Sequence, residues 1–128
     1  MGILIIIHRV IIATPCGSTA YNMAAGGPLI HPSIPGLLFT PISPFSLSFR
    51  PLVLPVDVKL VFKVPLEARC TVFVGVDGHT RFELQKGEGL EVKVSSYLSS
   101  YISLSNCPMI STWYSNIKKR LNWNKKTN

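Results

Sequence analysis

The sequence predicts a mostly β fold: an antiparallel, β-sandwich-like domain with a short helix near its start and an amphipathic helix near its end. Three observations predict it. Apolar residues recur at every second position over 58–64, 72–76 and 90–94, the period of half-buried antiparallel strands. Turn formers separate these stretches, namely Asp77-Gly78 and Lys86-Gly87-Glu88-Gly89. By contrast, Ile110, Trp113, Ile117 and Leu121 recur at the three-or-four spacing of a helix. Many short strands with one terminal helix point to sheet-based packing.

Taken in order, residues 3–13 are apolar and β-branched apart from His8-Arg9, and read as a buried strand. A loop at 14–17 leads into a short helix over about 18–25, with Ser18 as its N-cap and Gly26-Gly27-Pro28 as its stop. The next stretch is interrupted by Pro32, Pro35, Pro41, Pro44, Pro51 and Pro55. Proline cannot donate to a strand ladder, so only short strands fit between them, at 37–40 and 52–54. Val58, Leu60, Phe62 and Val64 then face one way. Val72, Val74 and Val76 repeat the pattern, as do Leu90, Val92 and Val94, each set expected to face the core. Asp77-Gly78 joins 70–76 to 80–84 as a hairpin. Residues 97–104 read as a further strand and 111–123 as the terminal helix, and the whole of 1–124 is expected to be one domain with a basic tail at 125–128.

A chain of 128 residues, 47% hydrophobic, can bury a core without disulfide or metal staples. Thirteen Lys and Arg against six Asp and Glu give a net charge of +7, which favours anionic partners. Much of that excess lies in Lys118, Lys119, Arg120, Lys125 and Lys126, and describes the tail more than a binding face. Nucleic-acid binding is not expected, because no aromatic platform is interleaved with these charges. Cys16, Cys70 and Cys107 are far apart, with no zinc-type spacing, and read as reduced thiols. No metal site is expected. The apolar run at 3–12 is shorter than the ~20 residues a membrane helix needs and lacks the features of a signal peptide. No membrane association is expected, and the chain reads as soluble and intracellular, cytoplasmic or in an organelle.

The informative segment is Thr14-Pro15-Cys16-Gly17-Ser18-Thr19-Ala20-Tyr21, which follows a strand and opens a helix. Gly17 permits a sharp turn and close approach of a ligand. Free N–H groups at a helix start attract anions. Ser18 and Thr19 add hydroxyls, and Tyr21 adds an aromatic plate with a polar tip. The segment is neither a Walker loop nor a G-x-G-x-x-G fingerprint. By spacing alone it reads as an ordinary capped helix start.

A series of motifs adds to that reading. The loop resembles the T-P-T-G-S-T-A-Y of NAD kinases, and the family's G-G and His-Pro, a short stretch later, are matched by Gly26-Gly27 and His31-Pro32. The segment from Phe39 through Thr40-Pro41-Ile42-Ser43-Pro44 to Ser48-Phe49-Arg50-Pro51 resembles the family's L-T-P-I-C-P-H-S-L-S-F-R-P. Asp77-Gly78, Arg81-Phe82-Glu83-Leu84, Lys86-Gly87-Glu88, Trp113 and Leu121-Asn122-Trp123-Asn124 are similar to later motifs of eukaryotic-type members. The motifs keep their order over residues 10–124.

The resemblance implies the β-rich C-terminal domain of an enzyme that phosphorylates NAD at the adenosine 2′-hydroxyl with ATP and Mg²⁺. It implies that Thr19, Ala20 and Tyr21 contact NAD, with Gly17, Ser18 and Asp77 as weaker candidates. It also implies a homo-oligomer, or association with an intact NAD kinase subunit. The family's G-G-D-G-T motif and its Asn-Glu/Asp pair are absent, so no catalytic residue is expected in this chain and it is expected not to phosphorylate NAD alone. Residues 1–9 depart from the family, with His8-Arg9 where an Asp-Gly often stands; Cys16 replaces a Thr and Ala24 a frequent Ser. The alternatives are a non-catalytic dinucleotide-binding or oligomerisation module and, more distantly, a lipid-kinase-like C-terminal domain. A half-enzyme of this kind is expected to expose apolar surface.

Outside the loop, His31 reads as a packed loop histidine and His79 as an exposed turn residue. Asp77 is a turn former by its own chemistry. Arg50 suits either a phosphate or a structural ion pair. Trp113 and Trp123 read as core or docking residues.

Overall fold

The apolar run Leu37-Leu38-Phe39 lies at the centre of the larger sheet, in a computed structural model that describes residues 9–17, 19–44, 46, 48–97 and 109–123. The elements run in the order β1 (Val10–Ala13), α1 (Thr19–Ala24), β2 (Leu37–Pro41), β3 (Leu52–Leu54), β4 (Leu60–Lys63), β5 (Val72–Val76), β6 (Thr80–Leu84), β7 (Gly89–Val92) and α2 (Met109–Leu121). All strand pairs are antiparallel, so the fold is mostly antiparallel β with two helices. The chain divides into two compact units, Met1–Leu54 with Ser96–Asn128, and Pro55–Ser95.

In the first unit, β2 lies between β1 and β3. Ile11 pairs with Thr40 and Ala13 with Leu38 on one side, and Leu38 pairs with Val53 on the other. Every residue of β2 is buried, which is why its sequence is continuously apolar up to Thr40 and Pro41 instead of alternating. Pro41 costs little because it ends the strand, beyond which the Ile42 N–H donates to the Arg9 carbonyl at 3.0 Å. Ile11, Ala13 and Leu38 form the core cluster, with Ala25, Ile30 and Ile42 packed against it. α2 keeps Trp113 and Ile117 half-buried. Lys118, Lys119 and Arg120 occupy its last turn, where cations suit the helix dipole. Asn122, at φ 51°, ends it in the left-handed conformation that asparagine tolerates.

The second unit is nested. β4 pairs with β7, and the β5–β6 hairpin is the excursion between them. Asp77 and Gly78 both have positive φ, 49° and 74°, as the tight turns of twisted hairpins require, and the His79 N–H closes the turn on the Val76 carbonyl at 3.1 Å. Gly87 turns the chain into β7, its N–H bonded to the Val64 carbonyl at 2.8 Å. Val64 is the one buried side chain among the described residues of this unit.

Several expectations need correction. The period-two stretch Val72, Val74, Val76 does form a strand, but Val72 and Val76 are 42% and 47% exposed and Val74 is only half-buried, so among the described residues that face is not covered by a core. Val94 is exposed and lies beyond β7. Tyr97 is exposed and not in a strand, while 98–104 lie outside the described residues, as do 1–8 of the expected first strand. Trp123 falls past the end of α2, half-exposed, against Tyr114. The expected apolar surface is present: Leu52, Val53, Val61, Leu66 and Phe73 are all exposed.

Candidate functional site

The loop after β1 is closed by its own backbone. The Gly17 N–H donates to the Thr14 carbonyl at 3.0 Å. A Cβ on Gly17 would stand 3.0 Å from Thr14 Oγ1, so closeness, not a left-handed φ, is what glycine relieves here. That N–H is engaged, and so is not among the free helix-start donors that the loop pattern suggests. α1 has only six residues, so its dipole is correspondingly short. Ser18, expected as the N-cap, lies outside the described residues, and Thr19 opens the helix.

α1 has two faces. Ala20, Tyr21 and Ala24 are exposed, Tyr21 by 58%. Asn22 is turned in and is 1% exposed. Its Nδ2 donates to the Pro28 carbonyl at 3.0 Å, and its Oδ1 accepts from Thr40 Oγ1 at 2.5 Å. Thr40 is wholly buried on β2. The helix end is a Schellman turn: Gly26 takes φ 82°, its N–H bonds the Met23 carbonyl at 2.9 Å, and the Gly27 N–H bonds the Asn22 carbonyl at 2.8 Å. Gly26 serves the left-handed position. Gly27 serves Asn22, because a Cβ on Gly27 would fall 2.1 Å from Asn22 Oδ1.

Reading the residues alone misses this clasp. Two signals point to it: an asparagine within a helix, where it competes poorly unless its amide is bonded, and a second glycine that the cap alone does not need.

Beside the clasp lies a cavity of about 260 Å³, with Ala25, Gly26, Pro41, Phe49, Arg50 and Pro51 among its lining residues. Its walls are mostly apolar, with Ser46 and Arg50 as polar groups. Arg50 also donates to the Phe49 carbonyl at 3.1 Å. His31 is a packed loop residue, as expected. Its ring stands edge-on to Trp113 with centroids 5.0 Å apart, and its Nδ1 lies 2.6 Å from Ser33 Oγ. Asp77 belongs to the other unit, exposed at its hairpin tip beside the exposed His79. Among the described residues no three His, Cys, Asp or Glu side chains are grouped so that they could hold a metal ion. Among the described residues no helix is long and apolar enough to cross a membrane.

Comparison with known proteins decides what the loop belongs to. Residues 3–104 match the model of the ATP-NAD kinase C-terminal domain. The chain belongs to this family. It is 43% identical over 117 residues to NAD kinase 2, chloroplastic, of Arabidopsis thaliana, covering 91% of this chain and 12% of that one. It is 42% identical over 118 residues to the NAD kinase of Aquifex aeolicus, covering 89% of this chain and 40% of that one. Its fold is similar to that of a yeast NADH kinase crystallised with NADH, with a TM-score of 0.74 and 31% identity over 93% of this chain and 36% of that one. The chain thus spans well under half the length of these relatives, and the NAD-kinase resemblance read from the loop and the motifs downstream of it is borne out.

Proposed function

We propose that this chain carries the dinucleotide-binding, β-rich part of an NAD kinase, and that the complete enzyme transfers the γ-phosphate of ATP to the adenosine 2′-hydroxyl of NAD to make NADP. The observation that carries this reading is the exposed edge of Ala20 and Tyr21, held out at the end of the T-P-C-G-S-T-A-Y loop, in a chain of this family. The NADH in the similar yeast structure supports a dinucleotide as the ligand. Tyr21 offers a plate for a base or ribose and a hydroxyl for hydrogen bonding. Ala20 is small enough for close approach, and Thr19 and Ser18 supply hydroxyls. Gly17 keeps the loop clear of side chain, and Asp77 is a weaker candidate acceptor for a ribose hydroxyl.

No residue of this chain is assigned to catalysis. Phosphoryl transfer needs phosphates held in place, charge neutralised and a group to activate the hydroxyl, and Mg²⁺ belongs to that part of the complete enzyme. The chain alone is therefore expected to bind NAD without phosphorylating it. Its exposed apolar residues, Phe73 and Leu66 above all, favour assembly into a homo-oligomer or onto an intact kinase subunit. The family match favours this reading over a lipid kinase. The compartment is cytoplasm or organelle, and the chloroplastic name of the Arabidopsis relative favours keeping both.

Isothermal titration of the chain with NAD tests the reading. Saturable binding by wild type, weakened at least about tenfold in Tyr21→Ala, is expected. Tyr21 is exposed, so its loss leaves the fold intact. No binding by wild type, or equal binding by the variant, overturns the assignment.

A further inference from the structure

We infer that Asn22 and Thr40 are a positioning pair, holding α1 in one rotational setting on β2 and thereby setting the Ala20–Tyr21 edge for its ligand; the ligand part rests on the NAD-binding reading. The pair joins two elements eighteen residues apart by a side chain–side chain hydrogen bond, Thr40 Oγ1 to Asn22 Oδ1, between groups almost wholly withdrawn from water. The other end of the same amide holds the Pro28 carbonyl, so one side chain ties helix, strand and the chain leaving the helix.

The geometry explains why this setting is unique. Asn22 and Ala25, three residues apart at the end of the helix, both turn inward, Asn22 to Thr40 on β2 and Ala25 to the core cluster. Ala25 and Gly26 line the cavity, and so does Pro41, the neighbour of Thr40. Ala20, Tyr21 and Ala24 stand on the exposed side. A six-residue helix has too few backbone bonds to hold its own orientation. Apolar contact between Ala25 and the core cluster is non-directional. The amide, by contrast, has a donor end and an acceptor end, and rotating α1 would leave both buried and unpaired. Gly27 completes the device, because only a residue without Cβ lets the amide lie across the turn.

The test uses Thr40→Val, close in volume but without the hydroxyl, and Thr40→Ser, which returns it. Gly27→Ala, which pushes the amide aside, is an independent second variant. Two measurements are made on each below its melting temperature: NAD affinity, and exchange of individual amides followed by NMR. Thr40→Val and Gly27→Ala are expected to weaken NAD about tenfold. They are also expected to speed exchange about tenfold at Ala25, Gly26 and Gly27, whose N–H groups bond within the helix end, while the β1–β2 ladder keeps its protection. Thr40→Ser is expected to restore both. If Thr40→Val melts earlier but exchanges uniformly faster at every amide, the pair is merely structural and the inference is overturned. If exchange at the helix end is selectively faster but NAD affinity does not move, the pair does not set the ligand edge, and that also overturns it. If wild type binds no NAD, the functional reading fails by itself, and the exchange pattern still decides whether the pair positions the helix.

Discussion

The two units of this molecule make the same kind of antiparallel ladder and differ in what lies against it. In the unit of Met1–Leu54 and Ser96–Asn128, β2 is buried along its whole length and the core cluster gathers on β1 and β2. In Pro55–Ser95, four strands form two separate pairs, and Val64 is the buried side chain among residues that are otherwise partly or fully exposed. The difference teaches that good hairpin chemistry does not make a core. Two-stranded ladders are marginal in water until a third layer or a partner covers a face. The second unit therefore has regular local geometry and little stability of its own, whereas the first can hold a short, exposed helix in place because its foundation is buried.

The sharpest way to break this comparison is a truncation matched across the units. Leu38→Ala, on a side chain 3% exposed, is expected to cost about 2–5 kcal/mol by urea unfolding. Phe73→Ala, on a side chain 74% exposed, is expected to stay within about 0.5 kcal/mol. Equal losses would mean that the exposed face is buried in solution by a partner copy. Light scattering would then show association that Phe73→Ala abolishes.

Val64→Ala is expected to cost about 2 kcal/mol, since it removes two buried carbons where few others are buried. A loss under about 0.5 kcal/mol would mean that the second unit is held by turns and ladders alone.

The turns offer a smaller effect. Gly26→Ala and Gly78→Ala each place a Cβ in open space at positive φ, so each isolates the backbone term, about 1–2 kcal/mol. Similar costs at both sites, by thermal melting, would show that the two units unfold as one. A cost at Gly26 alone would show the hairpin unfolding independently.

The smallest effect is expected at Lys59 and Glu91, an exposed ion pair at 3.2 Å flanking the β4–β7 ladder. Lys59→Ala is expected to change stability by no more than about 1 kcal/mol, and by less in high salt. A larger, salt-resistant loss would argue that water is excluded from this pair by something covering the second unit.

Much of the local structure was legible in the residues. Proline spacing placed β2 and β3 nearly to the residue, Asp77-Gly78 placed the β5–β6 turn, and Gly26-Gly27-Pro28 placed the end of α1. The loop motif, read with those downstream of it, was enough to name the family. All of these are short-range signals, set by φ preference, missing N–H groups or contiguous side chains. Of the proposed site, the exposed residues Ala20 and Tyr21 could be named from the motif, but the buried Asn22 and Thr40 beneath them could not.

By itself, then, the sequence determined the turns, most of the strands in 10–92, the two helices to within two residues, and which family the loop marks. Tertiary structure decided which faces are covered. It left Val72 and Val76 in water although their period matches that of buried strands, since periodicity says that side chains point together and not that anything meets them. It paired β4 with β7 across an intervening hairpin, a choice between distant partners that no local preference encodes. It also brought Thr40 to Asn22, because a hydrogen bond between residues on separate elements exists only once both backbones are placed to within a fraction of an ångström.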